Sequence, residues 1–439
     1  MNVSMESESA SRSREVFKGQ QDFLFPCVDH LYQEPVVLVK GAGTAVWDAD
    51  GKEYLDFFSG ILSTSLGHCH PRVVEAISKQ TKTLGHTSTL YVNEPQVDAA
   101  RRLAEITPGN LNKSFFTNSG SEAIDTAIML ACIHTGRSEV IALRSGYHGR
   151  SALATNLTGL SDWRPLASSV PNVKHAIAPY PYRCRFGTKC SQACEEGCAQ
   201  DLEEVILTTT NGKPAAFLVE TIQGAGGFID PPPGYHQKVA EIIRGYGGLF
   251  IVDEVQAGFG RTGKWFGIEH WDVVPDIMVM AKGIAGGMPV GATVTTGEIA
   301  ASWTANTMST FGGNPICMAA MAEVLKVMQE ENVPARAELR GQQLKAGLTA
   351  LAGEFPWFGD IRGLGLMRAI ELVTDPVTKE PDEARTSALM EETKAGGLLV
   401  GRAGLRKNVI RFGPSLLVTE DEIKDCLHRF REACIRIGG

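Results

Sequence analysis

The stretch LFIVDEVQ, Leu249–Gln256, decides the fold. Its first four residues are apolar, which is typical of a parallel strand that helices cover on both faces. The strand ends in acids, and in an open α/β sheet ligands bind beyond the carboxyl ends of the strands. We therefore expect Asp253 to face a crevice, where a buried carboxylate needs a cation or a protonated ring nitrogen as its partner.

Outward from this strand, apolar runs alternate with helical patterns, which predicts a doubly wound α/β domain with a mostly parallel central sheet. From about Val333 the pattern changes to that of a smaller α+β domain. We expect a flexible tail over residues 1–20, the first part of the small domain over 21–62, a large domain over 63–330 and the rest of the small domain over 331–439. The strand-like runs are Ala215–Ile222, Ile277–Met280, Met367–Val373 and Val409–Phe412, and the helical stretches are Ser121–His134, Pro233–Tyr246, Pro315–Glu330, Ala337–Glu354 and a last helix from Glu420.

Composition excludes several classes of protein. The 439 residues are 43% hydrophobic and carry a net charge of −8, so a disordered chain, a collagen and a nucleic-acid binder are all disfavoured. The sequence contains no run of about 18 apolar residues, the pattern that would predict a membrane span. The first sixteen residues contain Glu6, Glu8 and Glu15, which a transit peptide would avoid, and lack the apolar core of a secretory signal. The expected location is the cytoplasm.

Four of the ten cysteines crowd one segment, and the last three are spaced by four residues. That spacing would line one helix face. A metal or redox site and a local structural role both remain open, but the segment has neither a CxxC pair nor a histidine. We therefore expect no metal. The four residues are Cys184, Cys190, Cys194 and Cys198.

The segment Phe115–Ala123 reads as the end of a strand, a turn of small residues and the start of a helix. Ser119, Gly120 and Ser121 would leave backbone N–H groups open at the helix N-terminus, where the helix dipole favours a phosphate. An ordinary helix cap by Ser119 or Ser121 is the alternative. The segment is not a P-loop, because no Gly-Lys-Ser/Thr follows.

A lone lysine, Lys282, follows the apolar run Ile277–Met280. Apolar surroundings lower the pKa of a lysine and make its amine nucleophilic, so that it can form a Schiff base with an aldehyde. A surface lysine just past a strand end is the alternative. Together, a phosphate cradle, Asp253 and Lys282 match what pyridoxal phosphate needs: a phosphate anchor, a partner for its ring nitrogen and an amine for its aldehyde.

With these residues in place, the chain resembles the class III aminotransferases, which are pyridoxal-phosphate enzymes of fold type I. The resemblance runs from about Phe25 to the C-terminus, and the motifs fall in the order of the family. They are WDADGKEYLDFFSGI (Trp47–Ile61), GHCHP (Gly67–Pro71), TNSGSEA (Thr117–Ala123), GYHGR (Gly146–Arg150), VDEVQAGFGRTG (Val252–Gly263), MAKGI (Met280–Ile284) and STFGGNP (Ser309–Pro315).

The resemblance implies a role for each matching residue. Lys282 would hold the cofactor and shuttle a proton, and Asp253 would keep the ring nitrogen protonated. Tyr147 would stack on the ring, and Thr310 would reach the phosphate bound in the neighbouring subunit, which implies a homodimer with shared active sites, with a tetramer as the alternative. The remaining cofactor contacts would come from Ser119, Gly120, Ser121, His148, Glu220 and Gln256.

The substrate is less constrained than the cofactor. Arg411 matches the family's carboxylate-binding arginine, and a guanidinium grips a carboxylate with two hydrogen bonds. Relatives that use ornithine or 4-aminobutyrate place a glutamate where this chain has Ala225, so an unpaired Arg411 favours α-carboxylates. Ile61, where ornithine-type relatives have a tyrosine, and Tyr91 are expected to line the pocket.

These observations predict an enzyme that moves an amino group from an amino acid or amine to a small α-keto acid such as pyruvate or glyoxylate. A 4-aminobutyrate-type ω-aminotransferase, or a racemase or decarboxylase with the same cofactor, remains an alternative. A catalytically silent protein is disfavoured because Lys282 and Asp253 are intact. The expected partners are therefore small molecules and a second copy of the chain, not nucleic acid or membrane.

Overall fold

The computed structural model describes residues 3–28, 30–165, 172–186 and 197–438, and the side chains of helix α1 from Arg12 onwards. Cys190 and Cys194 therefore lie outside the described residues. The strands are β1 (Leu38–Ala42), β2 (Ala45–Asp48), β3 (Glu53–Asp56), β4 (Lys113–Thr117), β5 (Val140–Leu143), β6 (Val173–Ala176), β7 (Ala216–Glu220), β8 (Leu249–Asp253), β9 (Ile277–Met280), β10 (Gly291–Thr295), β11 (Phe358–Leu364), β12 (Met367–Asp375), β13 (Glu380–Pro381), β14 (Leu398–Leu399), β15 (Gly401–Ala403) and β16 (Val409–Phe412).

The helices begin and end at recognisable signals. For example, the Asn314 side chain accepts hydrogen bonds from the first turn of a helix that starts with Pro315. The helices are α1 (Val3–Phe23), α2 (Ser59–Leu62, a kinked turn), α3 (Pro71–Thr83), α4 (Glu94–Ile106), α5 (Gly120–Thr135), α6 (Ala152–Leu157), α7 (Ala199–Thr209), α8 (Tyr235–Gly245), α9 (Gly297–Ala301), α10 (Pro315–Glu330), α11 (Val333–Ala352), α12 (Glu383–Ala395) and α13 (Glu420–Arg436), with short 3₁₀ turns at Ser161–Trp163, Pro181–Arg183, Gly267–Trp271 and Lys282–Ala285.

The central sheet has seven strands in the order β4-β10-β9-β8-β7-β5-β6. Every neighbouring pair is parallel except those of β10, which runs antiparallel to both β4 and β9. Strands β7, β8 and β9 are buried along almost their whole length, as their apolar sequences require. The carboxyl ends of these three strands therefore meet at one edge of the sheet.

Two smaller sheets complete the fold. One has the order β1-β2-β3-β14, and its only parallel pair joins β3 to β14, with Leu55 opposite Leu398. The other is antiparallel, with the order β11-β12-β16-β15 and β13 beside β12. Strand β16 carries Arg411 towards the central sheet.

The predicted fold class is confirmed: a mostly parallel central sheet with helices, accompanied by two smaller sheets whose strand pairs are antiparallel except that of β3 with β14. Helix α1 occupies most of residues 1–20, the stretch for which the sequence predicts a flexible tail. No Gly or Pro precedes Gly19, and Glu, Ala, Arg, Met and Lys are strong helix formers. None of the helices in the described ranges has the length and apolar character needed to cross a bilayer.

Candidate active site

A cavity of about 310 Å³ opens beyond the carboxyl ends of β7, β8 and β9, beside the N-terminus of α5. The predicted crevice is therefore present, at the edge that the strand order favours. The cavity brings together nine of the ten predicted cofactor contacts, and Thr310 does not line it. The nine are Ser119, Gly120, Ser121, Tyr147, His148, Glu220, Asp253, Gln256 and Lys282.

Asp253, the last residue of β8, is buried and partly satisfied by the protein. One carboxylate oxygen lies 2.9 Å from Nδ1 of His148, and the other accepts the backbone N–H of Val255 at 3.0 Å. His148 is itself buried, and its Nε2 has no hydrogen-bond partner among the described residues. The imidazole thus orients a carboxylate that still has lone pairs free for a donor in the cavity.

Glu220 lies directly opposite Asp253 in the parallel pairing of β7 and β8. Its oxygens accept the backbone N–H groups of Tyr147 at 2.8 Å and Gly224 at 2.7 Å. Burial raises the pKa of Glu220 to about 7, with His148 opposing that rise and Asp253 adding to it. Two carboxyl groups on adjacent strand ends therefore share one buried environment.

Lys282 stands two residues beyond β9 and has a backbone φ of +47°. A non-glycine residue in this left-handed region is strained, and such strain clusters at functional sites. Burial lowers the pKa of the amine to about 8; Asp253 and Glu220 oppose this effect and Arg411 adds to it. In the described part of the chain, no group accepts a hydrogen bond from its Nζ. The pKa of the amine therefore falls because the amine is buried, and not because its surroundings are purely apolar, since three charged side chains lie near it.

The N-terminus of α5 forms another part of the cavity wall. Ser119 caps the helix by accepting the N–H of Glu122 at 3.3 Å, as the alternative interpretation required. The amides of Gly120 and Ser121 belong to the first turn, which has no acceptors within the helix, and both residues line the cavity. Capping and an open anion cradle are therefore compatible here.

Gly149 allows the loop after β5 to approach this helix end. Its φ is +125°, and a Cβ atom there would lie 2.2 Å from Oγ of Ser121. That hydroxyl accepts the N–H of Arg150 at 3.0 Å, which fixes the loop against the helix. Only glycine fits this close approach without displacement.

Two further predicted contacts, Tyr147 and Gln256, line the cavity from separate loops. The ring of Tyr147 packs edge-on against Trp163, with 5.3 Å between ring centroids. Oε1 of Gln256 is buried and has no partner among the described residues. A Cβ on Gly224 would lie 2.5 Å from the Gln256 side chain, so glycine is required beside it.

Arg411 is buried in β16 next to the cavity but does not line it. Its Nη1 donates to the carbonyl of Gly224 at 3.3 Å and its Nη2 to that of Arg402 at 3.0 Å, while Nε is buried without a partner among the described residues. Burial lowers its pKa to about 10, an effect that Glu220 opposes. The guanidinium is therefore charged near neutral pH and has no carboxylate partner in the described chain.

The other predicted substrate contacts are not assembled around the cavity in a single chain. Ile61 and Tyr91 are 48% and 70% exposed, and neither lines it. Ala225 is half-buried on the turn after β7, where its carbonyl accepts the N–H of Gly404 at 3.0 Å. Thr310 is exposed on the surface.

Sequence reasoning missed several residues of the cavity wall. Arg150 ends the GYHGR motif and lines the cavity, so the motif contained a signal that was not used. Asn118 of the TNSGSEA motif lines it as well, although the sequence analysis gave it no role; Ser63 and Met288 also line it, and no local pattern distinguished those two. These positions come from loops whose approach depends on the tertiary fold.

The comparisons with known proteins agree with this geometry, and the chain belongs to the class III aminotransferase family, whose profile matches residues 28–434. It is 42% identical to alanine–glyoxylate aminotransferase 2 homolog 2, mitochondrial, of Arabidopsis thaliana, over 93% of this chain and 84% of that one. It is 41% identical to acetylornithine aminotransferase of Methanopyrus kandleri, over 91% and 94%. The ω-transaminase from Pseudomonas jessenii in complex with PMP superimposes with a TM-score of 0.90 at 30% identity, over 96% and 99%.

The protein is therefore a pyridoxal-phosphate-dependent aminotransferase of fold type I. The donor set of the cavity fits that cofactor: open amides for the phosphate, a carboxylate for the ring nitrogen, the unpartnered Gln256 oxygen and the free amine of Lys282. Within the residues that the structure describes, no three His, Cys, Asp or Glu side chains cluster as metal ligands.

Proposed function

We propose that the protein transfers an amino group from an amino acid or amine donor to a small α-keto acid such as pyruvate or glyoxylate. Arg411 is the observation that carries the proposal, because it is a buried guanidinium beside the cavity with no acidic partner in the described chain. Ala225, on the neighbouring turn, supplies no carboxylate that could neutralise it. An α-carboxylate would provide the missing charge.

The bound cofactor would act as an electron sink for negative charge that develops on the substrate α-carbon. In this proposal Asp253 accepts the hydrogen bond of the ring N–H, and His148 holds the carboxylate in place. The amine of Lys282 attaches the cofactor and, once released, accepts and returns a proton at Nζ. Tyr147 covers the ring, and Gly120 and Ser121 donate their amides to the phosphate.

The experiment is a half-reaction without an acceptor, followed by the absorption spectrum. Single donors would be L-alanine, 4-aminobutyrate, β-alanine, ornithine and an aromatic amine. A transaminase converts the band of the lysine-bound cofactor to that of pyridoxamine phosphate, and the donor that does so names the class. Persistence of the band while the amino acid racemises or loses carbon dioxide would instead establish one of the alternative reactions.

Lys282→Ala should abolish both the lysine-bound band and turnover, with a loss of several orders of magnitude, because no other lysine lies in the cavity wall. Lys79→Ala, an exposed lysine of α3, is the matched control and should leave both unchanged. Turnover of the Lys282 variant near the wild-type rate would refute the assignment.

Arg411→Gln should raise the concentration of pyruvate needed to restore the original band.

We also propose a homodimer with shared active sites. An apolar surface surrounds Thr310 and supports this proposal: Met308 and Phe311 are each 60% exposed, and Tyr91 is 70% exposed. Thr89 and Ser309 exchange two hydrogen bonds of 3.2 Å, which hold the two segments side by side. Pairing of this surface with a second copy would cover it and bring Thr310, Ile61 and Tyr91 close to an active site.

Two further expectations stay proposals. We place a large cofactor-binding domain over residues 63–330 and a small domain over 21–62 and 331–439; the membership of the three sheets supports this division, since β3 pairs with β14. A cytoplasmic location also stays a proposal. Cell fractionation tests it against the mitochondrial location that the name of the Arabidopsis relative carries.

A further inference from the structure

A second cavity, of about 240 Å³, lies beyond the carboxyl ends of β5 and β6 and shares no lining residue with the first. Arg144 follows β5 directly, and Arg183 and Arg185 belong to the segment after β6. The hairpin between β15 and β16 closes the cavity with Arg406. Four guanidinium groups from three separate parts of the chain therefore line one small space, which we call the arginine cavity.

The single carboxylate in the wall of the arginine cavity is already satisfied. Glu371 is buried and accepts hydrogen bonds from Arg362 at 2.7 Å and from Asn408 at 3.3 Å. The Arg183 guanidinium and the hydroxyl of Tyr180 donate to it as well. Burial raises the pKa of Glu371, but the neighbouring cations outweigh that effect and hold it below its usual range. Glu371 is thus a charged acid with no capacity left for the remaining arginines.

Those remaining arginines lack acidic partners. Arg144, Arg185 and Arg406 are exposed, and no carboxylate of the described chain lies within salt-bridge distance of any of them. Nη2 of Arg183 is buried and has no hydrogen-bond partner among the described residues. Like charges gathered in a cleft repel one another and concentrate counter-ions there. The wall of the cavity therefore carries an excess of positive charge, and one of its residues, Arg183, has an N–H donor without an acceptor among the described residues.

We propose that the arginine cavity binds a small anion with at least two negative charges, either a dicarboxylate or a phosphate. Guanidinium groups match both anions geometrically, because each presents paired oxygens to the parallel N–H groups of arginine. The cavity volume of about 240 Å³ suits a small anion, such as inorganic phosphate or a short-chain dicarboxylate. This binding goes beyond amino transfer, since none of these arginines lines the catalytic cavity.

The test is titration calorimetry on the full-length enzyme loaded with pyridoxal phosphate, in low salt. The ligands are inorganic phosphate, succinate, which has no amino or keto group to react, and acetate as a monoanion. We expect one dianion per chain and much weaker binding of acetate. Arg144→Gln and Arg406→Gln should each weaken the dianion roughly tenfold, as expected for loss of one charge-assisted contact.

Lys407→Gln is the matched control, because it makes the same charge change next to Arg406. Lys407 does not line the cavity, and its Nζ pairs with Asp162 at 3.2 Å. The affinity of the Lys407→Gln variant for the dianion should stay at the wild-type value. Binding of only phosphate, or of only succinate, identifies which anion the site takes.

Three results would overturn the proposal: no saturable binding to the wild type at millimolar concentration, unchanged affinity in the two arginine variants, or equal weakening in the Lys407 control. Thermal unfolding of each variant confirms that it is folded, and the substituted side chains are exposed. Transaminase activity is measured in parallel. Because the two sites share no residue, failure of the anion site leaves the proposed function standing, and the reverse also holds.

Discussion

Single residues of the catalytic cavity influence one another's protonation. Burial favours the neutral forms of both Lys282 and Glu220, while the Glu220 carboxylate favours the charged form of Lys282 and His148 favours that of Glu220. The outcome is an amine with a pKa of about 8 and a carboxyl with a pKa of about 7. A substantial fraction of the amine is therefore neutral near physiological pH, and only the neutral amine attacks an aldehyde.

A pH dependence follows for attachment of the cofactor. The rate at which pyridoxal phosphate becomes covalently attached to the cofactor-free enzyme should rise about tenfold per pH unit and level off above about pH 8, where the Lys282 amine is already neutral. Stopped-flow absorbance gives the rate at each pH. A lysine derivative in free solution is the control, and its rate should keep rising towards pH 10. A similar continued rise in the enzyme would contradict the lowered pKa.

The sequence located the chemistry at strand ends because its signals were local. An apolar run that stops at one acid or one lysine marks Asp253 and Lys282 without knowledge of the fold. The contact between His148 and Asp253 joins the loop after β5 to the end of β8, and no local pattern reports such a pair. The arginine cavity was missed for the same reason, since its four arginines come from three distant segments.

At the scale of elements, the junction between α5 and the loop after β5 shapes the phosphate end of the cavity. The strand–turn–helix signature of Phe115–Ala123 was sufficient to predict the helix and its first turn. It was not sufficient to predict that Gly149 would press against Ser121, because that approach belongs to a second segment. The junction therefore requires a glycine at position 149.

Gly149→Ala should expose this dependence. The new Cβ would clash with Ser121, and the alanine would have to adopt a positive φ. We therefore expect a loss of about 2–4 kcal/mol in the free energy of unfolding and weaker retention of the cofactor. Gly212→Ala is the control, since Gly212 also has a positive φ of +78° but open space around it. That variant should lose about 1 kcal/mol and keep its cofactor affinity. Chemical denaturation and equilibrium dialysis measure the two quantities, and equal effects of the two variants would refute the role of crowding.

At the scale of the whole molecule, the exposed apolar surface around Thr310 is the feature that a single chain leaves unexplained. The ring of Phe311 contacts His86 at 5.0 Å between centroids, but most of its surface remains open to solvent. Three of the predicted contacts that fail to line the cavity, Ile61, Tyr91 and Thr310, are exposed as well, whereas Arg411 is buried and Ala225 half-buried. The second subunit that we propose would account for both observations.

Phe311→Asp should therefore weaken self-association by roughly one to two orders of magnitude, because it places a charge where an aromatic anchor would be buried. Analytical ultracentrifugation over a dilution series measures the effect, and activity should fall together with the dimer fraction. Val377→Asp, at a position that is 86% exposed on the turn between β12 and β13, is the control and should change neither. A wild-type monomer that is fully active would exclude shared active sites.

The parallel pairing of β3 with β14 has a consequence for how the chain is made. Leu55 emerges from the ribosome long before Leu398, yet they are direct neighbours in one sheet. The seven strands of the central sheet are all synthesised in between. Domains generally fold as units during synthesis, so the central sheet can form while β1, β2 and β3 still wait for their partner. Emergence of β14 from the ribosome would then complete the sheet that begins with β1, β2 and β3.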